Sequence, residues 1–241
     1  MASPLSMSAV DALASQLHGS GVDLVHAFRL SELSMPLPAA LPALLEGAQT
    51  GLLVGNTRVI WPHFLSWLAA HPSWQTWDDP LDAYAEEVVS EAVDAHLPGA
   101  RVLWTHETQA YVVPAQRLCH ASGFAHLSKG HFNVHPTYGP WFALRALVVI
   151  PEDLRPPVRA AIDPSSPEVE ARAARRLEQL CAQASDGLNS QHIRTTWVDW
   201  LALRDLYEIG RAHRYCADQV RYHYTKDKTV LERALAQHKG R

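Results

Sequence analysis

HFNVHPTYGPWFALRALVVI, residues 131–150, is the stretch around which the rest of the chain is organised. From Trp141 to Ile150 it is an almost unbroken apolar run of ten residues, rich in Val, Leu and Ile. Such a run is too long and too apolar for an exposed strand, and it reads as a central strand buried on both faces. Arg145 alone interrupts it. A permanent cation there requires a carboxylate, a phosphate or a wet cavity, because burying an unpaired charge is strongly unfavourable. Two readings stay open: a structural arginine paired with a core acid, or a guanidinium that faces a ligand pocket. Just upstream, HPTYGP (135–140) spells a rigid turn that permits close backbone approach.

The bulk numbers exclude several classes. The 241 residues suffice for a full core and predict one domain, 1–241, with an N-terminal extension over 1–30, a sheet-and-helix core over 31–151 and a helical part over 168–241. A net charge of −4 and the lack of any basic run beyond a short tail argue against nucleic acid as a partner. Cys119, Cys181 and Cys216 are odd in number and lack CxxC spacing, which suits free thiols in a reducing compartment. Residues 1–20 show no export signal and no apolar stretch reaches a membrane span, so a cytoplasmic location is expected. Fourteen His and eight Trp are high counts that favour a pocket for a flat, aromatic or metal-containing ligand.

Periodicity and turn residues then place the elements. Helices are expected over 8–18, 58–70 with Pro62 in the first turn, 81–97 behind Asp79-Pro80, and 115–128 with Gly123 as a soft point. Strands are expected at 22–30 and 51–56, with 101–105 and 110–113 as a pair. Residues 33–47 form a Pro-rich connection, and 151–167, with five Pro, form a linker. An amphipathic helix over 167–184, a loop over 185–190 and two or three C-terminal helices complete an α+β chain.

Two side-chain sets carry candidate chemistry. His120, His126, His131 and His135 are spaced by six, five and four residues, which matches no common zinc motif. They read as the lining of a polar pocket or, less directly, as metal ligands. Arg145 and Arg204 form the second set. Trp200 and Arg204 are four apart and share a helix face, an arrangement that clamps a planar carboxylate or else forms a surface pair with Asp205 or Glu208. No P-loop, nucleophile elbow or GxGxxG is present, which argues against kinase, serine hydrolase and Rossmann dehydrogenase readings.

At HPTYGPWFALRALVVIP (135–151) the chain resembles the MMACHC or CblC family of cytosolic cobalamin-processing proteins, whose motif is HPxxGGWFAIRG followed by an apolar strand and Pro. Further stretches match in order: LSMPLPAALPALL (33–45), Asp79-Pro80-Leu81-Asp82, Ala115-Gln116 with His120 and Gly123, Trp197-x-Asp199-Trp200 with Arg204-Asp205, then Arg214-Tyr215, Gln219 and Tyr222. The likeness spans roughly residues 30–235, and the Ala, Leu and Arg richness points to a divergent, bacterial-type member.

The resemblance implies a nitroreductase-like α+β fold, an antiparallel-rich sheet flanked by helices with a helical C-terminal cap. It implies cobalamin binding with the lower base detached, and removal of the upper ligand by thiol attack on an alkyl group or by reductive loss of cyanide. Glutathione or another low-molecular-weight thiol would be the co-substrate, and FMN a further cofactor. The family's glutathione-binding arginines fall on Arg145 and Arg204, with Arg233 nearest the third. Its corrin-facing segment falls on His120, His126, Leu127, Ser128, Lys129, Gly130, His131, Phe132, Asn133, His135, Tyr138 and Trp141. The chain departs from the pattern in a shorter loop before the HP motif, His-Leu-Ser in place of a Tyr-rich run, bulkier His131 and Phe132, and Pro140 for Gly. These changes allow His126, His131 or His135 to ligate cobalt directly, with His131 the first candidate. The resemblance also implies a monomer or ligand-induced homodimer. The competing readings are a non-catalytic corrinoid carrier and a flavin-dependent reductase of nitroreductase type.

Overall fold

The computed structural model describes residues 5–184, 187 and 189–238. In chain order the elements are α1 (Met7–Gly19), β1 (Leu24–Arg29), α2 (Leu41–Leu45), β2 (Thr50–Asn56), α3 (Ile60–Ala69), α4 (Pro80–His96), β3 (Arg101–Trp104) and α5 (Ala115–Ala121). They continue with β4 (His126–Leu127), β5 (Asn133–Val134), β6 (Ala143–Ile150), α6 (Pro167–Gln183), α7 (Ser190–Thr195), α8 (Trp197–Arg204), α9 (Ala217–Thr225) and α10 (Lys228–His238). The described residues divide into two compact units. One runs up to Phe124 and takes in Phe142–Ala161; the other comprises Ala125–Trp141 and everything from Ile162 onward.

The first unit is built on a four-stranded antiparallel sheet in the order β1-β2-β6-β3. The apolar run does become an inner strand, and Ala146 through Ile150 are all at most 1% exposed. Burying each Val, Leu or Ile of this type contributes about 1.5–3 kcal/mol. β2 has no polar face either: all seven of its residues are buried. α1 presents Val10, Leu13 and Leu17 at three- and four-residue spacing and packs against α4. α4 starts where the sequence places it, with Asp79 capping the Leu81 N–H and Pro80 in the first turn.

Three local expectations are corrected. Residues 110–113 are not a strand; Tyr111 instead lends its hydroxyl as acceptor to the Trp104 N–H, and β3 takes β6 as its partner. The helix expected over 115–128 stops at Ala121. Gly123 turns the chain at φ +78°, and a Cβ there would stand 2.1 Å from the Arg159 carbonyl oxygen. Among the described residues the C-terminal part folds as four short helices, α7 to α10, rather than two or three, because α8 ends at Arg204 and Gly210 adopts φ +73°. The Pro-rich connection is irregular except for the five-residue α2. Part of the loop expected over 185–190, the first four residues and the basic tail lie outside the described residues.

The second unit combines the hairpin β4–β5 with helices α6 to α10. Its core is Val134, Ala173, Leu180, Trp200, Leu203 and Tyr207, with Trp141, Tyr215 and Val220 as a neighbouring cluster. The HPTYGP turn closes on itself through reciprocal backbone bonds between His135 and Gly139 of 3.0 and 2.8 Å. Gly139 (φ +56°) packs so tightly that an added Cβ would lie 1.8 Å from the Ile209 carbonyl oxygen. That contact is why glycine is required there.

Candidate functional site

In the first unit the decisive feature is how β6 carries Arg145. Val54 pairs with Ala146 and Gly55 pairs with Leu144, so the register skips Arg145 and leaves it as the extra residue of a β-bulge. A bulge re-aims a side chain, and it requires room on the partner strand. Gly55 supplies that room, since a Cβ there would meet the Ala143 carbonyl oxygen at 2.5 Å. The re-aimed guanidinium is 8% exposed and is held from two sides: Nε donates to Asn56 Oδ1 at 2.7 Å and Nη1 to Asp82 Oδ1 at 2.9 Å. Asn56 is locked in turn by donating to the Thr57 carbonyl, and Thr57 is held by both carboxylate oxygens of Asp23 at 2.6 Å. On the far side, His106 lies 4.0 Å from Asp82 and 2.8 Å from Glu86. The core-acid reading of Arg145 therefore has a concrete partner, Asp82 from the start of α4. No bond to Nη2 is found among the described residues.

In the second unit, residues 128–132 close the β4–β5 hairpin and are fastened from below. Ser128 and Gly130 are buried. The Tyr207 hydroxyl donates to Ser128 Oγ at 2.8 Å, and the Lys129 N–H donates to the buried carboxylate of Glu170 at 2.7 Å. A Cβ on Gly130 would meet the Tyr207 hydroxyl at 2.7 Å. Burial pushes the Tyr207 hydroxyl up to about 12 against the pull of its bond to Ser128. Lys129 and His131 are exposed at the tip, and His131 sits in the left-handed region at φ +58°. For a non-glycine residue that costs about 1 kcal/mol. Phe132 packs edge-on against Tyr207, and Asn133 is buried in β5 beside half-buried Leu127.

The turn that follows fixes two more predicted residues. His135 Nδ1 accepts the N–H groups of Thr137 and Tyr138 at 3.0 and 3.3 Å, so the neutral ring carries its proton on Nε2. Its plane stacks on Tyr138, whose edge meets His213. His126 Nε2 lies 3.5 Å from Asp163. Of the remaining predicted residues, His120 is exposed on the last turn of α5 in the first unit. Arg233 is exposed on α10 and pairs with Asp218.

Arg204 shares a helix face with Trp200, as the spacing predicts, but that face is buried: Arg204 is 3% exposed. Nε and Nη2 both donate to the Pro140 carbonyl, and the guanidinium carbon lies 4.4 Å from the Trp141 ring centre and 4.9 Å from that of Tyr215. Arg214 approaches Trp141 as well, at 5.2 Å, while forming a two-point bond with Asp205. Burial raises the pKa of the nearby Tyr224 hydroxyl, opposed by the charge of Arg204.

The structure thus gathers residues 126–141 and Arg204 in one unit and places His120 and Arg145 in the other. Sequence reasoning missed Asn56, Glu170 and Tyr207 as supporting residues, and it saw Asp82 only as part of a helix start. A buried arginine demands an acid somewhere, but nothing in a linear sequence says that the acid lies 63 positions away.

No protein-family profile matches the chain, and no curated protein matches it. Among solved structures, the chain is similar to the B12-trafficking protein CblC of C. elegans, a human MMACHC homologue. The TM-score is 0.62 at 16% identity, over 94% of this chain and 96% of that one. The fold is CblC-like. The α+β architecture read from the sequence, an antiparallel sheet flanked by helices, is therefore the one observed. Epoxyqueuosine reductase from Bacillus subtilis also matches, at a TM-score of 0.46 and 13% identity over 79% of this chain and 58% of that one, a level that supports no argument. No helix among the described residues is long and apolar enough to cross a membrane, and no group of three or more His, Cys, Asp or Glu among them is arranged to hold a metal ion.

Proposed function

We propose that the chain binds a corrinoid of the cobalamin type and removes its upper axial ligand with the help of a thiol. The observation that carries this reading is the CblC-like fold, which extends over nearly the whole chain and puts the HPTYGPWFALR motif on β6 and the turn leading into it. In this proposal the hairpin tip and turn, from His126 to Tyr138, face the corrin. The tip is stiffened by Tyr207 and Glu170, so its exposed His131 and Lys129 are presented on a fixed frame. His131 is the candidate cobalt ligand. His135 is poorly suited to that task, because its Nδ1 lone pair is occupied and its Nε2 carries the proton.

The reaction requires the corrinoid to be held with its lower base detached, which favours fewer ligands on cobalt. A thiolate sulfur then attacks the alkyl carbon. The S–C bond forms as the Co–C bond breaks, both electrons of that bond stay on the metal, and a thioether leaves. The protein's part is to bind and orient the two reactants. The test is an anaerobic titration of the protein with methylcobalamin, followed by a thiol. A base-off spectrum on binding and thiol-dependent loss of the methyl group support the reading; an unchanged base-on spectrum at equimolar protein contradicts it.

A second reading, a corrinoid carrier without ligand removal, draws on a specific observation. All three nominated arginines already have protein partners: Asp82 and Asn56 for Arg145, the Pro140 carbonyl for Arg204 and Asp218 for Arg233. A carrier gives the base-off spectrum and no thiol-dependent turnover.

A further inference from the structure

The first unit holds a cavity at one end of its sheet, where β2 begins, β6 ends and β3 begins. Its volume is about 270 Å³, and residues 46–48, Gly99, Arg101, Val149 and Pro151 line it. All of them belong to the first unit. Main-chain pairing fixes the frame. The Gln49 N–H donates to the Ile150 carbonyl at 2.9 Å, the Gln49 side-chain amide donates to the Pro151 carbonyl at 3.0 Å, and Arg101 stands opposite Val149 in the β3–β6 ladder. Gly47 (φ +76°) and Gly99 (φ +88°) turn the two loops that wall the cavity, and an added Cβ on either would meet no atom within 4 Å. Those walls are bare backbone beside open space. Ala48, Val149 and Pro151 supply the apolar part of the lining.

Arg101 is held in a way that other arginines of this unit are not. Arg29, Arg145 and Arg155 each lie within ion-pair distance of a carboxylate. Arg101 has a neutral acceptor instead: Nη2 donates to the Glu46 carbonyl at 2.6 Å. Among the described residues Arg101 has no ion pair and no other hydrogen bond. The guanidinium is therefore positioned in advance while its charge stays uncompensated, and Nε, Nη1 and the second Nη2 hydrogen remain for an incoming acceptor.

We propose that this cavity binds a small monocarboxylate with an apolar body, the carboxylate on Arg101 and the body against Ala48, Val149 and Pro151. The volume lies just below the roughly 300 Å³ at which pockets for drug-sized ligands begin, which limits the occupant to about ten non-hydrogen atoms. A dianion such as phosphate is disfavoured, because one guanidinium faces it and Glu46, an acid, stands on the same rim. The site uses residues of the first unit alone and does not rest on the corrinoid reading.

The test titrates the protein with benzoate at low ionic strength and follows its amide NMR spectrum, with acetate and benzyl alcohol as probes that lack the apolar body or the charge. The expected result is a Kd of about 1 mM or tighter for benzoate, shifts concentrated at residues 46–48 and 99–101, and binding at least about tenfold weaker for both controls. Arg101→Gln, at an exposed position, is expected to keep the parent thermal midpoint and lose at least about tenfold in benzoate affinity. Glu46→Gln keeps the carbonyl that holds Arg101 and removes the acid on the rim, so benzoate is expected to bind up to about threefold more tightly. Absence of saturable shifts up to about 10 mM benzoate overturns the proposal, as do shifts centred elsewhere on the chain. Benzyl alcohol binding as tightly as benzoate, or unchanged affinity in folded Arg101→Gln protein, overturns it too. Weaker benzoate binding by folded Glu46→Gln protein contradicts the assigned charge preference and overturns it as well.

Discussion

Asp82→Ala isolates the interaction that fixes Arg145. The substitution deletes the carboxylate 2.9 Å from Nη1 and leaves a guanidinium that is 8% exposed with Asn56 as its remaining hydrogen-bond partner. Removing one member of a buried ion pair costs about 3–5 kcal/mol, because the surviving charge stays desolvated. The Asp82 side chain retains 20% exposure, so water partly replaces it and the lower end, about 3 kcal/mol, applies. The paired replacement Asp82→Leu with Arg145→Met removes both charges at similar volume and is expected to fall within about 1 kcal/mol of the parent. Urea unfolding measures the parent, Asp82→Leu, Arg145→Met and the double variant as the four corners of a cycle, with Asp82→Ala beside them. With a slope of about 3 kcal/mol/M, Asp82→Ala lowers the midpoint by about 1 M, and the coupling energy exceeds about 2 kcal/mol. A shift below about 0.3 M for the single variant refutes the claim that the bulge delivers Arg145 into a buried pair.

Other expectations follow from single contacts. Gly139→Ala is expected to lower the thermal midpoint by at least about 5 °C, since its Cβ falls 1.8 Å from a carbonyl oxygen at φ +56°; an unchanged midpoint contradicts the packing of that turn. Alkaline titration tests Tyr84 and Tyr207, both pushed up to about 12 by burial. Folding favours their protonated forms, so the stability they contribute is full below pH 10 and is lost as pH rises from 10 to 12; Tyr207→Phe is expected to flatten that loss in unfolding curves measured at several pH values. His26 has the opposite sense. Burial lowers its pKa, so stability falls as the pH drops below the ordinary histidine range, and His26→Gln is expected to lessen the acid slope. His131→Gly relieves the left-handed backbone and is expected to raise stability by up to about 1 kcal/mol while weakening methylcobalamin binding several-fold; tighter binding contradicts a ligand-facing role.

Much of the fold was legible because its signals were local. The run 141–150 had one reading as a doubly buried strand, and the Asp79-Pro80 pair announced the start of α4. Legibility failed where a distant partner decided the outcome. Residues 110–113 alternate like a strand, but the ladder position beside β3 belongs to β6, and Tyr111 reaches the Trp104 N–H with its side chain instead. The helix from 115 looked long because only the opposing Arg159 backbone reveals why the chain must turn at Gly123. The candidate site divided in the same way. Residues 126–141, Arg145 and Arg204 stand out in the sequence as candidates, whereas the contacts that hold them, from Asp82, Asn56, Glu170 and Tyr207, are set by tertiary structure.

The most direct measurement is the visible spectrum of methylcobalamin titrated with the purified protein under anaerobic conditions without thiol. Corrinoid binding in a CblC-like fold predicts conversion to the base-off spectrum, complete near one equivalent of protein. Retention of the base-on spectrum at several-fold protein excess contradicts the proposed function.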